Sequence, residues 1–308
     1  MSLTVIIRGG GDLGTGVACH LNRLGARVVI TELSRPKMVR HTVCLGYAVY
    51  NNVQQVEDLT AQLMTLDELS RHPENSEIIP VLIDDAGLLI PQLHPDIIFD
   101  CRMLKYDLPD QRGLAPAVVG LGPGFIAFSR WEDGTANIET ASQSGKSAAV
   151  EAGNVDYVIE TQRGEHLGDI IARGRAIPNT GIPGVIGGES SRRLLRAPQA
   201  GVFRGVHQVG DLIPAGEIVG YVGDKPVISL IAGLLRGLVH DGLEVGSGEK
   251  IGDCDPRGSL VSAFKISDKA HKIGEGAAAV YRKLLQKIPV SLGERSYTDT
   301  LVDDFVKR

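Results

Sequence analysis

No apolar run in this sequence approaches the ~18 residues that a membrane-spanning helix needs. The short apolar start, Thr4 to Ile7, runs straight into glycines rather than into the apolar core of a signal peptide. There are only four cysteines, Cys19, Cys44, Cys101 and Cys254, and none forms a CxxC pair. That spacing excludes a zinc knuckle and a disulfide framework, and it predicts reduced thiols in a cytoplasmic protein. Positive charge is not in excess: the net charge is −5, which excludes a general nucleic-acid binder with a basic face. Neither HExxH nor GxSxG occurs, so the common zinc-protease and serine-hydrolase signatures are missing. Aromatic residues make up only 5%.

Glycine is what the chain has in plenty, 38 residues in 308, and the glycines cluster. The first cluster follows Leu3 to Ile7, an apolar, β-branched run that predicts a buried strand. Arg8-Gly9-Gly10-Gly11-Asp12-Leu13-Gly14 comes next, and Gly9, Gly11 and Gly14 satisfy GxGxxG. Val17, Ala18, Leu21 and Leu24 then recur at helical spacing, Gly25 closes the helix, and Arg27 to Thr31 predicts a second strand ending at Glu32. Strand, glycine turn, helix, strand and acid stand in the order of a dinucleotide-binding unit. The glycines would let a pyrophosphate approach the free amides of the helix start, and Glu32 would take a ribose hydroxyl. The competing reading is structural, with Asp12 capping the helix and placing its carboxylate where a phosphate would sit. Arg8 would offset that charge. Arg35 and Arg40, just past Glu32, leave a 2′-phosphate open.

Further along, several apolar strands end in polar or glycine-rich segments, as they do around the crevice of a parallel sheet. Glu57 to Leu69 predicts polar loop and helix. Ile78 to Ile83, broken by Pro80, ends at Asp84-Asp85, and Asp96 to Asp100 is followed by Arg102 and Lys105. Asp84 is a strand-end turn residue on the simplest reading, whereas Asp100 with Arg102 and Lys105 forms a candidate anion site. Gly120 to Gly124, with Gly122 and Gly124, makes either a second nest of backbone amides or a plain tight turn. Gly145-Lys146-Ser147 imitates the end of a P-loop, but the first glycine of that motif is replaced by Thr140. Val155 to Ile159 predicts a strand leading to Arg163, then a helix around His166 to Ala172, then a Pro/Gly-rich segment, 178–184.

An internal repeat lies near the C-terminus. Ala200 to Gly220 aligns without gaps on Ala232 to Gly252, an offset of 32, with eight identities in 21 positions. Two such β units must bury their apolar faces on each other. The pattern resembles lipoyl and biotinyl domains. Lys225, in a short hairpin stiffened by Pro226, is nevertheless expected to carry no covalent lipoate or biotin. Asp253 and Asp255 have no partners at metal-ligand spacing, and no metal is expected. Ser267 caps a final helix reaching Leu285.

Several of these stretches together resemble the YqeB-type accessory proteins of the selenium-dependent molybdenum hydroxylase system. They are Val5 to Leu13, Glu32-Leu33-Ser34-Arg35-Pro36, Gly120 to Phe125, Glu160 to Gly164, Asn179 to Gly184 and Ile251 to Gly258. A more distant similarity is to XdhC-type chaperones, which handle molybdenum cofactor and have a Rossmann-like domain. The resemblance implies a cytoplasmic maturation factor whose partner is a xanthine-dehydrogenase-like molybdenum hydroxylase. Residues from about Ala127 to Gly153 depart from the pattern as an insertion.

The expectation is therefore an α/β protein: a Rossmann-like parallel-sheet domain at 1–125, an α/β extension at 126–195, a lipoyl/biotinyl-like barrel at 196–258 and a helical segment at 259–308. The candidate ligand site is Gly9, Gly10, Gly11, Asp12, Leu13, Gly14, Glu32, Arg35, Asp100, Arg102, Lys105, Gly122, Gly124 and Arg163, with NAD(P) or a dinucleotide form of the molybdenum cofactor as ligand. A homo-oligomer is left open. One alternative is an NAD(P)-dependent oxidoreductase using Lys105 or His166. Another is a carrier module using Lys225.

Overall fold

The computed structural model describes residues 3–132 and 153–289. The Gly145-Lys146-Ser147 segment and most of the expected insertion lie outside them. The elements expected at the start form as read: β1 (Thr4–Arg8), α1 (Asp12–Asn22) and β2 (Arg27–Glu32). Gly25 takes a φ of +75° and ends the first helix. The chain continues through α2 (Ala48–Asn51), β3 (Val53–Val56), β4 (Leu59–Leu63), α3 (Leu66–Arg71), β5 (Ile78–Ile83), α4 (Ile90–Leu93), β6 (Ile97–Asp100) and β7 (Ala117–Leu121). β4 occupies part of the stretch expected as loop and helix. β5 runs unbroken through Pro80. After the two-residue β8 (Ala127–Phe128) come β9 (Tyr157–Ile159), β10 (Ile170–Ile171) and the short β11 (Arg173–Gly174).

Nine strands form one sheet, in the order β10-β9-β7-β6-β1-β2-β5-β4-β3. The seven from β9 to β4 are parallel, and the two edge strands run antiparallel to them. With β4 set aside, the parallel strands follow the 3-2-1-4-5-6 order of a doubly wound sheet, whose order reverses beside β1. The sheet does not stop at residue 125, since β9 and β10 extend it. The segment expected as a helix around His166 is instead a turn leading into β10. Gly164 and Gly168 both have positive φ there, and Ile170 and Ile171 pair with Ile159 and Val158.

Alternation along the strands sorts the two faces. Val5, Ile7, Val28, Ile30, Ile97 and Phe99 are buried on the face covered by α1. Ile6, Val29 and Ile98 point to the other face, against Leu69 of α3 and Ile90 and Leu93 of α4. Each such buried side chain contributes about 1.5–3 kcal/mol. A last helix, α5 (Asp268–Leu285), returns to lie along α1 and adds Ile273, Ala277, Val280 and Leu284 to the first face. The crossing is close enough to require glycine: a Cβ on Gly16 would stand 2.3 Å from the Ala270 carbonyl oxygen, and one on Gly274 2.5 Å from that of Gly16. Ser267 caps α5 as expected, its Oγ accepting from the Ala270 amide at 3.1 Å.

The repeat builds a two-sheet unit from β12 (Leu194–Arg196), β13 (Gly201–Gly205), β14 (Leu212–Ile213), β15 (Ile218–Val222), β16 (Lys225–Ile228), β17 (Gly233–Leu238), β18 (Glu244–Val245) and β19 (Lys250–Asp255). The halves exchange strands symmetrically. β13 pairs β18 with Gly201 opposite Val245, and β17 pairs β14 with Gly233 opposite Ile213, the same pair shifted by the repeat. The strands form two separate four-stranded sheets, β12-β19-β17-β14 and β16-β15-β13-β18, rather than the closed barrel expected. Phe203, Val219, Val222, Leu235 and Ile251 fill the space they share.

This unit is fastened to the segment that follows β2. Arg35 donates to the Gly242 carbonyl at 2.7 Å, His41 meets the Leu238 carbonyl at 2.8 Å, and Thr42 donates to the Ala263 carbonyl at 2.6 Å. Tyr50 stacks on His240 with ring centroids 4.0 Å apart, and the Tyr47 hydroxyl lies 2.6 Å from His240 Nδ1. Burial, then Tyr50 and Asp241, push the Tyr47 phenol up to about 12, so it is the neutral hydroxyl that bonds His240.

Candidate ligand site

The strand ends of the parallel sheet converge on the glycine turn. Gly9 adopts a φ of +92° and donates its amide to the Thr31 carbonyl at 2.8 Å. Gly10 packs on Gly46, where a Cβ would come within 2.7 Å of the Gly46 nitrogen. Gly14 allows the helix to approach the turn, because a Cβ there would stand 2.0 Å from the Gly9 carbonyl oxygen. Gly11 differs. It is the N-cap residue of α1, no side chain caps the helix there, and a Cβ on it would meet nothing within 4 Å. The amides of Gly11, Asp12 and Leu13 find no acceptor among the described residues, so the first turn keeps its free donors and its positive end. The Leu13 side chain itself packs against the core.

Two acids flank this turn. Glu32 accepts the Gly10 amide on Oε1 and the Leu33 amide on Oε2, each at 2.8 Å. Burial raises its pKa above the usual carboxylate value despite those two amides. Asp12 does not cap the helix. Its Oδ2 pairs with Arg40 Nη1 at 2.9 Å, while its buried Oδ1 has no partner. At the end of β6, Asp100 is 1% exposed and clamps Arg102, whose Nη2 lies 2.6 Å away, and Arg8 at 3.4 Å. Asp84 accepts from the Leu88 and Leu89 amides, as a strand-end turn residue would.

Two cavities open on either side of the Asp12–Arg40 pair. The first, about 640 Å³, is the crevice over the sheet and includes Gly9, Gly11, Asp12, Glu32 and Arg102 in its lining, with Arg8, Lys37 and Tyr106. The second, about 500 Å³, includes Asp12, Lys105, Pro123, Thr161 and Arg163 from the sheet side, Asn179 and Thr180 from the Pro/Gly-rich segment, Arg193, Arg236, Lys250 and Asp253 from the sandwich side, and Ser267 and Lys269 from the start of α5. Asp12, Arg40 and Lys250 line both. Each volume falls in the range of small-molecule sites.

The second cavity is strongly cationic: seven lysines and arginines stand against two carboxylates in its lining. Among the described residues, no ion pair or hydrogen bond engages the side chains of Lys105, Arg163 or Lys269. Burial, then Arg163, push the Lys269 ammonium below its ordinary pKa, with Asp12 and Glu160 opposing. Glu160, 2% exposed, holds the wall together by accepting the amides of Thr161, Gln162 and Ile177, each at 2.7 Å.

Of the residues singled out from sequence, the structure brings Gly9, Gly11, Asp12, Glu32 and Arg102 to the first cavity, and Asp12, Lys105 and Arg163 to the second. Arg35 is instead bound to the sandwich at Gly242. Gly122, whose amide is spent on the Ile159 carbonyl at 3.0 Å, and Gly124, tight against Leu104, shape a turn that presents Pro123 to the cavity. His166 pairs with Asp169 at 2.9 Å on the surface, away from both cavities. Sequence reasoning did not single out Arg193, Arg236, Lys250 or Lys269. No local motif marks them, because they come from the turn before β12, the repeat unit and the last helix.

Fold and site together define an α/β protein with two adjoining cavities beside the switch point of a doubly wound sheet. Across 92% of its length the chain is 36% identical, over 283 residues, to the uncharacterized protein YqeB of Escherichia coli (strain K12). That match takes in 48% of YqeB, so the chain spans about half the length of this relative. No protein-family profile matches. Slight likenesses exist to a succinylglutamate desuccinylase/aspartoacylase from Rhodobacter sphaeroides (20% identity, 21% of this chain and 22% of that one, TM-score 0.20) and to an aspartoacylase family protein from Mesorhizobium loti (17%, 21% and 23%, TM-score 0.19). Scores this low carry no argument about fold or function. No described helix is long and apolar enough to cross a membrane.

Proposed function

We propose that this protein binds a nucleotide, either free or as half of a dinucleotide-form molybdenum cofactor, in the crevice over Gly11. On this reading it is a cytoplasmic accessory factor that equips selenium-dependent, xanthine-dehydrogenase-like molybdenum hydroxylases. The observation that supports the binding is the open first turn of α1. Three amides lack acceptors, the Asp12 carboxylate is drawn to Arg40, and the space beside Gly11 is empty of protein. A phosphate there would receive the amides and the helix dipole. Glu32 would have to accept a ribose hydroxyl in addition to its two amides, which the spare lone pairs of a carboxylate allow. The maturation role rests on the sequence resemblance described above and on no feature of the crevice. The repeat unit keeps its likeness to lipoyl and biotinyl domains only as paired half-units, with a docking role in the complex.

Calorimetric titration with NAD, NADP, ATP, CTP and molybdopterin dinucleotides tests this. Saturable binding of at least one, weakened in Gly11→Ala, is expected. Binding of none removes the nucleotide reading. A second reading, an NAD(P)-dependent oxidoreductase, is favoured only by Lys105, which lines the second cavity without an ion-pair partner. Cofactor reduction in a screen of hydroxy and amino acids would support it.

A further inference from the structure

We propose that the cavity between the sheet, the sandwich and the start of α5 is a separate site for a multiply charged phosphate-class oxyanion. Gly11 is not part of its lining, so the proposal stands independently of the nucleotide reading.

Four observations converge there. Lys105, Arg163 and Lys269 line the cavity with no ion-pair partner among the described residues. Arg40, Arg193 and Arg236 each leave a buried Nε–H with no acceptor, and their side chains are only 11%, 9% and 12% exposed. Of the five orphaned buried polar side-chain atoms among the described residues, three are these Nε–H donors, while a fourth, Asp12 Oδ1, is an acceptor whose carboxylate is paired with Arg40. The chain as a whole is acidic, so this concentration of cations is local rather than a reflection of composition.

Arg40, Arg193, Arg236 and Lys269 are drawn together largely out of water, where like charges repel and burial deepens the cost, while Lys105, Arg163 and Lys250 stand exposed around them. A dianion placed among them would offset the repulsion. Phosphoryl oxygens suit a wall made of guanidinium forks and lysine point charges. The neutral part of the lining, Gln162, Asn179 and Thr180, offers further donors. The shared wall of Asp12, Arg40 and Lys250 makes two sources chemically equivalent: a second small molecule, or the phosphoryl end of a ligand whose other half lies over Gly11.

Pyrophosphate is the probe. Its binding to the full chain is measured by calorimetry at fixed ionic strength for wild type, Arg163→Gln, Lys269→Met and Gly11→Ala. Wild type should bind saturably, and Arg163→Gln and Lys269→Met at least tenfold more weakly; a loss confined to Gly11→Ala would place the anion in the crevice over Gly11 and overturn the proposal. Neither Arg163→Gln nor Lys269→Met breaks an ion pair, so without pyrophosphate both should melt no lower than wild type, which separates loss of binding from loss of fold. Equal affinity in all four proteins, or no saturable binding by wild type, overturns the proposal. Given binding, competition with a nucleotide identifies the source. Mutual exclusion assigns the anion to the end of one long ligand, simultaneous binding assigns it to a second molecule, and either outcome upholds the site.

Discussion

Asp12 and Arg40 meet at 2.9 Å in the wall shared by two cavities. The pair turns the Asp12 carboxylate away from capping its own helix and so leaves the first-turn amides free. It also ties the segment after β2 to the glycine turn, and Arg40 donates onward to the Lys265 carbonyl at 3.0 Å. One ion pair thus joins the sheet domain to the approach of α5.

Gly11→Ala and Gly14→Ala should separate a ligand-facing glycine from a structural one. A methyl at Gly11 meets no protein atom, so unfolding free energy should change by no more than about 0.5 kcal/mol while nucleotide affinity falls tenfold or more, about 1.4 kcal/mol. At Gly14 the methyl would meet the Gly9 carbonyl oxygen, and overpacking should cost about 1–3 kcal/mol. Chemical denaturation and calorimetry measure the two quantities side by side.

The contact between α1 and α5 should be intolerant of any side chain at the crossing. Gly274→Ala places a Cβ against both the Gly16 carbonyl and the His20 ring, so the helices must separate. The expected result is a loss of about 1–3 kcal/mol. Hydrogen exchange should quicken in α5 first, and unchanged protection of α5 would contradict the packing.

Stability should fall as pH drops through the imidazole range. His20 Nε2 and His271 Nδ1 lie 3.3 Å apart at the same crossing. Burial lowers the His20 pKa below 6.5, and His271, Arg23 and Arg282 push the same way against Glu275. Burial, then His240, lower that of His41, against the Leu238 carbonyl. A folded-state value below the unfolded one means the stabilisation is complete above 6.5 and is lost as pH falls toward the lowered value. His20→Asn should flatten this dependence in denaturant melts taken on both sides of 6.5. An identical slope in the variant would assign the effect elsewhere.

Glu160→Ala should loosen the second cavity without touching the first. The carboxylate satisfies three backbone amides, at Thr161, Gln162 and Ile177, and so pins the Pro/Gly-rich segment to the end of β9. Its removal leaves buried donors unmet, at about 1–3 kcal/mol each before relaxation. Pyrophosphate affinity should drop while nucleotide affinity holds, a split that calorimetry would reveal.

The chain's own pattern was enough for β1, the glycine turn, α1 and β2. Apolar alternation, a glycine at each forbidden φ and an acid at the strand end are local constraints read along a few residues. The repeat was equally legible, because an offset of 32 needs no knowledge of space. The helix expected near His166 was not found, because pairing of Ile170 and Ile171 with β9 outweighed a weak local preference.

What only tertiary structure decided was which charges meet. Arg236 and Arg204 are equivalent in the repeat, yet Arg236 lines a cavity while Arg204 donates to the Gly223 carbonyl in a hairpin. Only the half carrying β17 and β19 sends side chains to the glycine turn. Lys269 reaches the same place from the far end of the chain because Gly16 and Gly274 let two helices touch. Backbone preferences act over a few residues and are written in order, whereas electrostatic neighbours are set by long-range packing, which sequence order does not list.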